Sequence, residues 1–385
     1  MKVAYVTPYD SRSLQGRKEW SGLGYYIAQS LLKQQVVLDY MGPLNEPEIF
    51  KGIYKFKKAY CKFINKKTYL PNADPWMLKN YARQISQKLK NSDADVVFSA
   101  TSIPTAYLEC DRPVVFWADA TFAGLHNFYE QYTNLDESVM REWNWLEENA
   151  LQKCSLAIYA SDWAAKTAIE AYGADPNKVK VVPFGANIDT EIKFEDISRR
   201  IDARSSDVCK LLFLGMDWKR KGGDTAYEVA KQLNASGLKV ELTVIGCTPL
   251  IPEPTPDFVK PLGFISKGTD EGRNRLRNII MESHFLILPT LAECFGVVFC
   301  EANSLGVPCI ARSIGGVPTA IRNGFNGQLF DRDADISEYC DYIVNVFGNY
   351  SEYRELAFSS WSEYHNRLSW DIAGKTVYQL LEGLL

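Results

Sequence analysis

The stretch PTLAECFGVVFCEANSLG, residues 289–306, decides the fold of this chain. The apolar run 284–289 in front of it predicts a buried parallel strand, and residues 296–305 have the pattern of a helix. Two acids, Glu293 and Glu301, lie eight positions apart, one before the helix and one within it. We expect both to face the crevice at the carboxyl ends of the strands, where open parallel sheets bind ligands.

The start of this helix adds a second kind of recognition, because its free backbone N–H groups form an anion site. Carboxylates accept hydrogen bonds from hydroxyl groups, whereas N–H groups hold phosphate. Together they indicate a nucleotide-sugar as ligand. The alternative, two solvated acids on a helix face, is weaker because the motif coincides with its strand–helix context.

At this point the chain resembles a known family. The motif Glu293-x7-Glu301, with Phe295-Gly296 and the later Gly306-Val-Pro308, resembles the retaining glycosyltransferases of the GT-B fold, and glycosyltransferase family 4 in particular. The resemblance implies an α/β architecture of two Rossmann-like domains that face each other across a cleft. It also implies that the last helix crosses back onto the first domain.

Two successive series of strand and helix patterns agree with this architecture. We predict an acceptor domain from residues 1–188, completed by the crossover helix 366–385, and a donor domain from residues 207–365. The polar stretch 188–207 has no clear periodicity and is predicted to be the linker. Three turns or loops are also predicted in the second half: a proline-rich loop at 248–261, a glycine turn at 313–318 and a hairpin-like turn at 323–327.

Composition limits the class of protein. The chain has 385 residues, 46% of them hydrophobic, and a net charge of −4, which argues against nucleic-acid binding. Its nine scattered cysteines form no CxxC pair, which favours buried, reduced thiols in the cytosol over a disulfide framework or a zinc site. A strand pattern starts directly after Met1 and no apolar run could span a bilayer, so we expect a cytoplasmic protein without a signal peptide.

A basic loop follows the first predicted strand of the second half, which ends at Gly215. Arg220 and Lys221 lie there beside glycines, and such cations would neutralise a diphosphate. The family usually has an arginine directly after the first glycine, where this chain has Met216. The role is carried to Arg220 and Lys221 because they match the cationic pair of an Asp-Trp-x-Arg-Lys-Gly variant. The alternative is a solvated basic loop.

Further donor contacts are implied by the resemblance. The segment 262–265, which contains Phe264, is similar to the one whose backbone contacts the nucleobase. Glu301 would accept hydrogen bonds from the ribose, and Glu293 would hold hydroxyls of the donor sugar. The other predicted donor-binding residues around the helix start are Phe295, Gly296, Val297 and Val298.

In the first half, the resemblance draws attention to Gly22, Gly24 and Asp119. The two glycines follow the first strand in a loop that lies by the reaction centre in the family. Without that resemblance, the short Gly-x-Gly would favour an ordinary strand–helix turn. Many members have a histidine before the aspartate where this chain has Ala118. Asp119 is therefore the candidate that binds donor sugar or acceptor, and the alternative is that Asp119 caps the next turn.

The segment KGIYKFKKAYCKFINKK, residues 51–67, is basic with aromatic residues between the lysines. It could give weak peripheral contact with an anionic membrane or a lipid-linked acceptor. The simpler interpretation, which the sequence favours, is a solvated helix with its aromatic side chains in the core. Charge reversal of Lys57, Lys58 and Lys62 would separate the two by vesicle sedimentation.

The predicted function is transfer of a hexosyl group, with retention, from a UDP- or GDP-sugar to the hydroxyl of a glycan, lipid-linked or protein acceptor. Arg220, Lys221, Glu293 and Asp119 are the catalytic candidates. No cofactor and no metal are expected, because the cations would do the metal's work and no Asp-x-Asp pair occurs in the cleft loops. The alternatives are a sugar-nucleotide epimerase or phosphorylase of the same fold, or a non-catalytic subunit that binds sugar-nucleotide, which Ala118 motivates.

Overall fold

Two parallel sheets of six strands organise the chain, as the α/β prediction requires. The computed structural model describes residues 1–14, 22–188 and 192–385. These residues form two compact units, the first from Met1–Val182 with Ala373–Leu385, the second from Pro183–Ile372. The second boundary falls inside the last helix, so that helix belongs to both units.

The first sheet has the strand order β2-β1-β3-β4-β5-β6, and all its neighbouring strands are parallel. The order reverses between the first and third strands, which makes that position the switch point of the sheet. The strands are β1 (Lys2–Val6), β2 (Val37–Tyr40), β3 (Val96–Ser99), β4 (Val114–Ala118), β5 (Leu156–Tyr159) and β6 (Val179–Val181). The helices are α1 (Leu23–Leu32), α2 (Glu48–Tyr60), α3 (Pro75–Leu89), α4 (Phe122–Leu125), α5 (Glu137–Lys153) and α6 (Asp162–Tyr172).

The second sheet has the order β12-β11-β10-β7-β8-β9, again with parallel neighbours. Its switch point lies between the strands that begin at Cys209 and at Phe285. The strands are β7 (Cys209–Leu214), β8 (Val240–Ile245), β9 (Val259–Gly263), β10 (Phe285–Leu288), β11 (Cys309–Arg312) and β12 (Gly327–Phe330). The helices are α7 (Phe194–Asp202), α8 (Gly223–Ala235), α9 (Asp270–Glu282), α10 (Val297–Asn303), α11 (Val317–Ala320), α12 (Ile336–Gly348), α13 (Tyr350–Arg367) and α14 (Trp370–Glu382).

Three local predictions in the second unit were wrong. The predicted linker contains helix α7, whose Ile197 and Ile201 are fully buried although charged residues surround them. Strand β9 forms inside a stretch predicted as a proline-rich loop, and its edge position accommodates Pro261. The turn 323–327 does not close a hairpin, because it leads into β12, which runs parallel to β11.

All nine cysteines are free thiols, and six of them are buried. Burial raises the pKa of the Cys209, Cys300 and Cys309 thiols far above the ordinary range for cysteine. These buried thiols are therefore small apolar core groups.

Within the described part of the chain, no helix is both long enough and apolar enough to cross a bilayer.

A buried carboxyl group lies in the core of the first unit. Glu147 of α5 is only 3% exposed, and its Oε1 accepts a hydrogen bond of 3.3 Å from the Ser102 hydroxyl. Its Oε2 has no hydrogen-bond partner among the described residues. Burial raises the pKa of Glu147 to about 7, since removal from water disfavours the carboxylate.

This raised pKa predicts how stability changes with pH. The folded protein binds the Glu147 proton more tightly than the unfolded chain does, so stability should fall as pH rises from about 4.5 to about 7. In the wild type, this should lower the free energy of unfolding by about 3 kcal/mol between pH 4 and pH 8, and Glu147→Gln should abolish that decrease. Thermal unfolding across this pH range measures it.

The neighbour Glu148 is exposed, and Glu148→Gln is the matched control for the same substitution at the surface of α5. His284, whose pKa burial lowers to about 3, removes stability as pH falls below about 6.5, and it does so equally in all these variants. Parallel stability profiles for wild type and Glu147→Gln would contradict the assignment.

Candidate functional site

The candidate donor site lies at the switch point of the second sheet, where the loops after β7 and β10 meet. The N–H of Gly215 donates to Ile245 O at 2.9 Å, and a Cβ at Gly246 would lie 2.6 Å from Gly215 O. At the other end of the β7 loop, Gly222 has the left-handed φ of 81°, and any Cβ there would collide with Pro289 O. Glycine therefore lets the two loops pack together.

The backbone holds these loops in register. The carbonyl of Arg220 accepts hydrogen bonds from Leu291 N at 2.7 Å and from the Thr290 hydroxyl at 3.1 Å. The loop that carries the predicted cations is thus tied directly to the loop that carries Glu293. Such ties reduce the freedom of the site before any ligand arrives.

Arg220, Lys221 and Glu293 come together at this point. The Lys221 ammonium forms an ion pair with Glu293 Oε2, and both side chains are only 12% exposed. Arg220 Nη1 donates to Ala292 O at 3.0 Å and lies 4.0 Å from the same carboxylate oxygen. Two cations therefore share the Glu293 carboxylate, and Arg220 Nε also lies 3.7 Å from the half-exposed Asp217 carboxylate.

The third cation of the loop takes a different direction. Lys219 is 64% exposed and pairs with Asp224 on α8 at 2.7 Å. Met216, at the position where the family usually has an arginine, is exposed. Of the residues in the predicted basic loop, Arg220 and Lys221 are thus the pair that lies beside Glu293.

Helix α10 begins after Gly296, as predicted, but it is shorter than expected, with seven residues. Gly296 has φ 88°, and a Cβ there would collide with the Phe299 ring. The Glu293 carbonyl accepts a hydrogen bond from Gly316 N at 3.1 Å, which brings the predicted glycine turn 313–318 to the same place. Backbone N–H groups and Glu293 therefore border one region of the sheet edge.

Glu301 occupies the buried face of α10 and forms an ion pair with a residue that sequence reasoning missed. Lys267 Nζ lies 2.5 Å from Glu301 Oε1, and the Glu301 side chain is 1% exposed. Glu301 Oε2 is also buried, and among the described residues it has no hydrogen-bond partner. A buried carboxylate oxygen without a donor is costly unless a ligand supplies one.

The remaining predicted donor-binding residues differ in exposure. The Phe295 side chain is buried and packs edge-on against Phe184, with ring centroids 5.7 Å apart, so only its backbone is available to a ligand. Val297 and Val298 are half-buried on the first turn of α10. Phe264 is 67% exposed directly after β9, at the same edge of the sheet.

The predicted residues of the first half all lie in the first unit. Gly22 precedes α1 with φ 78°, and the Gly24 carbonyl accepts a hydrogen bond of 2.6 Å from the Tyr5 hydroxyl. A Cβ on Gly24 would lie 2.8 Å from the Tyr9 hydroxyl, so close packing requires glycine there. Trp20 and Ser21 of the same predicted loop lie outside the described residues.

Asp119 is half-buried at the carboxyl end of β4. The N-cap of α4 is Thr121, whose hydroxyl accepts a 3.2 Å hydrogen bond from Gly124 N. The alternative role of Asp119, capping of the turn after β4, stays a prediction. Its assignment to sugar or acceptor binding stays a prediction.

Metal ligands are not grouped in the part of the chain that the structure describes. No cluster of three histidine, cysteine, aspartate or glutamate side chains occurs there. The independence of the reaction from metal remains a prediction that needs its own experiment.

Two glycosyltransferase family models match consecutive parts of the chain. The model described as glycosyltransferase family 4 matches residues 26–190, and the model described as glycosyl transferases group 1 matches residues 209–349. The chain belongs to this glycosyltransferase family. Together the two matches cover most of the chain and include the β7 loop, Glu293 and Glu301.

Curated relatives of the family are similar over about half of the chain. The D-inositol 3-phosphate glycosyltransferase of Mycolicibacterium smegmatis is 24% identical over 204 residues, which are 52% of this chain and 47% of that enzyme. The enzyme of the same name from Rhodococcus erythropolis is 31% identical over 179 residues, 43% of this chain and 40% of the relative. The chain thus matches less than half the length of these relatives.

Several solved structures share the fold across the whole chain. Sucrose-phosphate synthase from Thermosynechococcus elongatus has a TM-score of 0.71 at 14% identity and covers 100% of this chain and 98% of its own. Anabaena HepE, solved in complex with UDP and glucose, has a TM-score of 0.64 at 16% identity and covers 100% of both chains. At these identities the likeness establishes two Rossmann-like domains of the GT-B type.

Proposed function

We propose that this protein is a retaining glycosyltransferase that transfers a hexosyl group from a UDP- or GDP-sugar to an acceptor hydroxyl. The product would be a glycan, a polysaccharide or a glycolipid, made in the cytoplasm. The observation that carries the proposal is the cluster of Arg220, Lys221 and Glu293 at the switch point of the second sheet. Open parallel sheets bind nucleotides at such a point.

The diphosphate of the donor would lie against the two cations. As the bond from the sugar to the diphosphate breaks, negative charge grows on the bridging oxygen, and groups already in position stabilise it without reorganisation. Arg220 can offer a planar fork to phosphate oxygens, while Lys221 acts as a compact charge. The tie of Arg220 to Ala292 O keeps its guanidinium at the sheet edge.

The ribose would bind at Glu301. Its Oε2 is the buried acceptor without a partner among the described residues, and Lys267 balances the charge through Oε1. Hydroxyl groups of a ribose are donors of the kind that this oxygen needs. The exposed Phe264 ring, at the same sheet edge, would lie near the nucleobase.

Glu293 would hold the hydroxyl groups of the donor sugar. Its Oε2 is engaged by Lys221, so we assign Oε1 to the sugar. This arrangement links sugar and diphosphate recognition through one ion pair. HepE, a structural neighbour solved with UDP-glucose bound, supports a donor of this class.

The bond changes balance without a protein nucleophile. The acceptor hydroxyl attacks the anomeric carbon on the face from which the diphosphate leaves, and the departing phosphate oxygen takes the hydroxyl proton. The new glycosidic bond keeps the anomeric configuration. Asp119, with Gly22 and Gly24 in the first unit, would orient the acceptor or the donor sugar.

Metal independence is a prediction of this mechanism. Because Arg220 and Lys221 supply positive charge at the diphosphate, we expect EDTA to leave the transfer rate unchanged within about twofold, since no metal supplies the electrostatic stabilisation. The measurement is the initial rate with and without EDTA and added manganese. Activity abolished by EDTA and restored by manganese would contradict the mechanism.

A thermal-shift panel of nucleotide-sugars tests the function itself. A donor that binds only the folded protein raises its melting temperature, by an amount that grows with concentration. We expect UDP- or GDP-sugars to raise it and CMP-sugars to have no effect. If no nucleotide-sugar shifts the melting temperature, the proposal fails.

Product analysis then separates the alternatives. The purified protein with donor and no acceptor should give only slow donor hydrolysis, whereas epimerisation of the donor would indicate an epimerase. Donor binding with neither hydrolysis nor transfer would indicate the non-catalytic subunit that Ala118 motivates.

A further inference from the structure

Helix α2 and the π-helical turn Cys61–Asn65 after it form a lysine-rich segment whose orientation differs from the one expected from the sequence. No residue of α2 is fully buried. The side that faces the first unit carries Phe50, Tyr54 and Cys61, and the Phe50 ring lies 6.4 Å from the Trp76 ring. The expectation that the aromatic side chains between the lysines lie in the core was therefore wrong for most of them.

A stripe of large apolar side chains points to solvent instead. Its members recur at helical spacing, so they share one face of the segment. They are between 50% and 73% exposed, and we call them the apolar stripe: Ile49, Phe56, Tyr60, Phe63 and Ile64. Single exposed apolar side chains are common on protein surfaces, but several large ones on one face mark an interaction surface.

Lysines flank the apolar stripe along one side. Lys55, Lys58 and Lys62 are exposed there at helical spacing, and Lys62 lies 5.7 Å from the centre of the Phe63 ring. Lys66 and Lys67 extend the positive charge beyond the helix. The segment thus presents apolar and cationic groups side by side on one surface.

Lys57 differs from these lysines. Its ammonium lies 2.6 Å from the buried Asp74 carboxylate and 5.7 Å from the centre of the Tyr69 ring. This ion pair fastens the segment to the first unit. Lys57 is therefore a structural residue and is left out of the substitutions below.

We propose that residues 48–67 bind the surface of an anionic lipid bilayer. The apolar stripe would enter the boundary between headgroups and acyl chains, and Lys55, Lys58 and Lys62 would contact the lipid phosphates. A bilayer provides an apolar layer beside a layer of negative charge, which matches the two neighbouring faces. A second copy of the chain fits less well, because a symmetric contact would bring lysines close to lysines.

The proposal is independent of the donor site, which lies in the second unit. It concerns where the protein resides and which acceptors it meets. Failure to bind vesicles would leave the thermal-shift result with nucleotide-sugars unaffected, so the two proposals fail separately.

Sedimentation with vesicles tests the proposal. The wild-type protein should sediment with vesicles of equal parts phosphatidylglycerol and phosphatidylcholine at low salt, and not with phosphatidylcholine alone. Added salt should release it, because surface charges are screened within about 10 Å at 0.1 M. Absence of sedimentation with the anionic vesicles would overturn the proposal.

A pair of variants tests the apolar stripe. Phe56→Ser with Phe63→Ser should lower the vesicle partition coefficient at least about tenfold, since each ring loses its burial in lipid. The matched control is Leu250→Ser with Leu385→Ser, two leucines that are 56% and 65% exposed elsewhere in the chain. The control should bind as wild type does, and all melting temperatures should be similar because the changed side chains are exposed.

A second pair of variants tests the lysines. Neutralising Lys55, Lys58 and Lys62 with glutamine should lower the partition coefficient by about 100-fold, as each lysine near an anionic surface contributes about fivefold. The control removes the same charge at three exposed lysines elsewhere: Lys90, Lys166 and Lys239. Equal losses in both triple variants would overturn the proposal, because net charge alone would then explain binding.

Light scattering tests whether a second copy of the chain covers the apolar stripe. A wild-type dimer that becomes a monomer in the Phe56→Ser and Phe63→Ser variant would assign the stripe to self-association and would contradict the lipid proposal. A wild-type mass that these substitutions leave unchanged, together with vesicle binding that they abolish, is the expected result.

Discussion

Replacing Arg220 and Lys221 together by alanine is expected to lower kcat by about 10³-fold, with a much smaller effect on donor binding. The reason is that both cations act on charge that grows as the diphosphate leaves, so their contribution is larger in the transition state than in the bound donor. The measurements are kcat and KM for the donor, with the Kd of the nucleoside diphosphate from calorimetry.

The neighbouring lysine offers a matched control. Lys219 belongs to the same run of cations but pairs with Asp224 on the surface, so Lys219→Ala should retain near wild-type kcat. A rise in KM alone for the Arg220 and Lys221 variant would contradict the prediction, because it would indicate equal binding of ground state and transition state.

The ion pair with Glu293 requires a second variant. Removal of Lys221 leaves a carboxylate that is 12% exposed without its closest cation, and this costs stability. Lys221→Met combined with Glu293→Gln removes both charges together. We expect this double variant to recover the melting temperature but not kcat, which separates loss of folding from loss of catalysis.

Replacing Glu301 by alanine should raise the Kd of the nucleoside diphosphate by about 10- to 100-fold. One charge-assisted hydrogen bond from the ribose contributes about 1.5–3 kcal/mol, which corresponds to that range. Calorimetry with the free nucleotide measures it directly, without the acceptor. Unchanged nucleotide affinity would exclude the ribose role of Glu301.

Two related variants show how Glu301 works. Glu301→Gln keeps an acceptor oxygen but loses the charge, so its Kd should lie between those of wild type and Glu301→Ala. Lys267→Met leaves the Oε2 acceptor in place, so the Kd of the nucleotide should change little. The melting temperature should fall, because Glu301 loses its cation. If Lys267→Met weakened binding as strongly as Glu301→Ala, Lys267 itself would contact the nucleotide.

The donor side of the site could be predicted largely from the sequence. Apolar runs such as 284–289 mark buried parallel strands, and polar residues directly after them must lie at the ligand edge of the sheet. This reasoning locates Arg220, Lys221 and Glu293, and the structure places them together at the switch point. Their catalytic roles stay predictions.

The contacts that were missed depend on tertiary structure. Lys267 lies 34 positions before Glu301 and no local pattern connects them, so only folding reveals the pair. Helix α7 has two apolar residues on its buried side, too few for a periodic signal. Strand β9 contains Pro261, which local propensity excludes from a strand and an edge position permits.

The orientation of α2 shows what hydrophobic periodicity in a sequence does not predict. Periodicity identifies an apolar face but does not state whether that face meets the core or another surface. Here Tyr54 and Cys61 pack with the core, while Phe56 and Phe63 remain outside. The prediction of a helix was confirmed, and the side assigned to the core was wrong.

Helix α2 buries little of its surface against the first unit, and this affects which substitutions it tolerates. With no fully buried residue in the helix, its amides should exchange with deuterium well before those of the sheet strands. Substitutions on its outer surface cost the fold little, so selection at those positions comes from what the surface contacts and not from stability. The proposed contact with lipid could in this way change while both sheets stay unchanged.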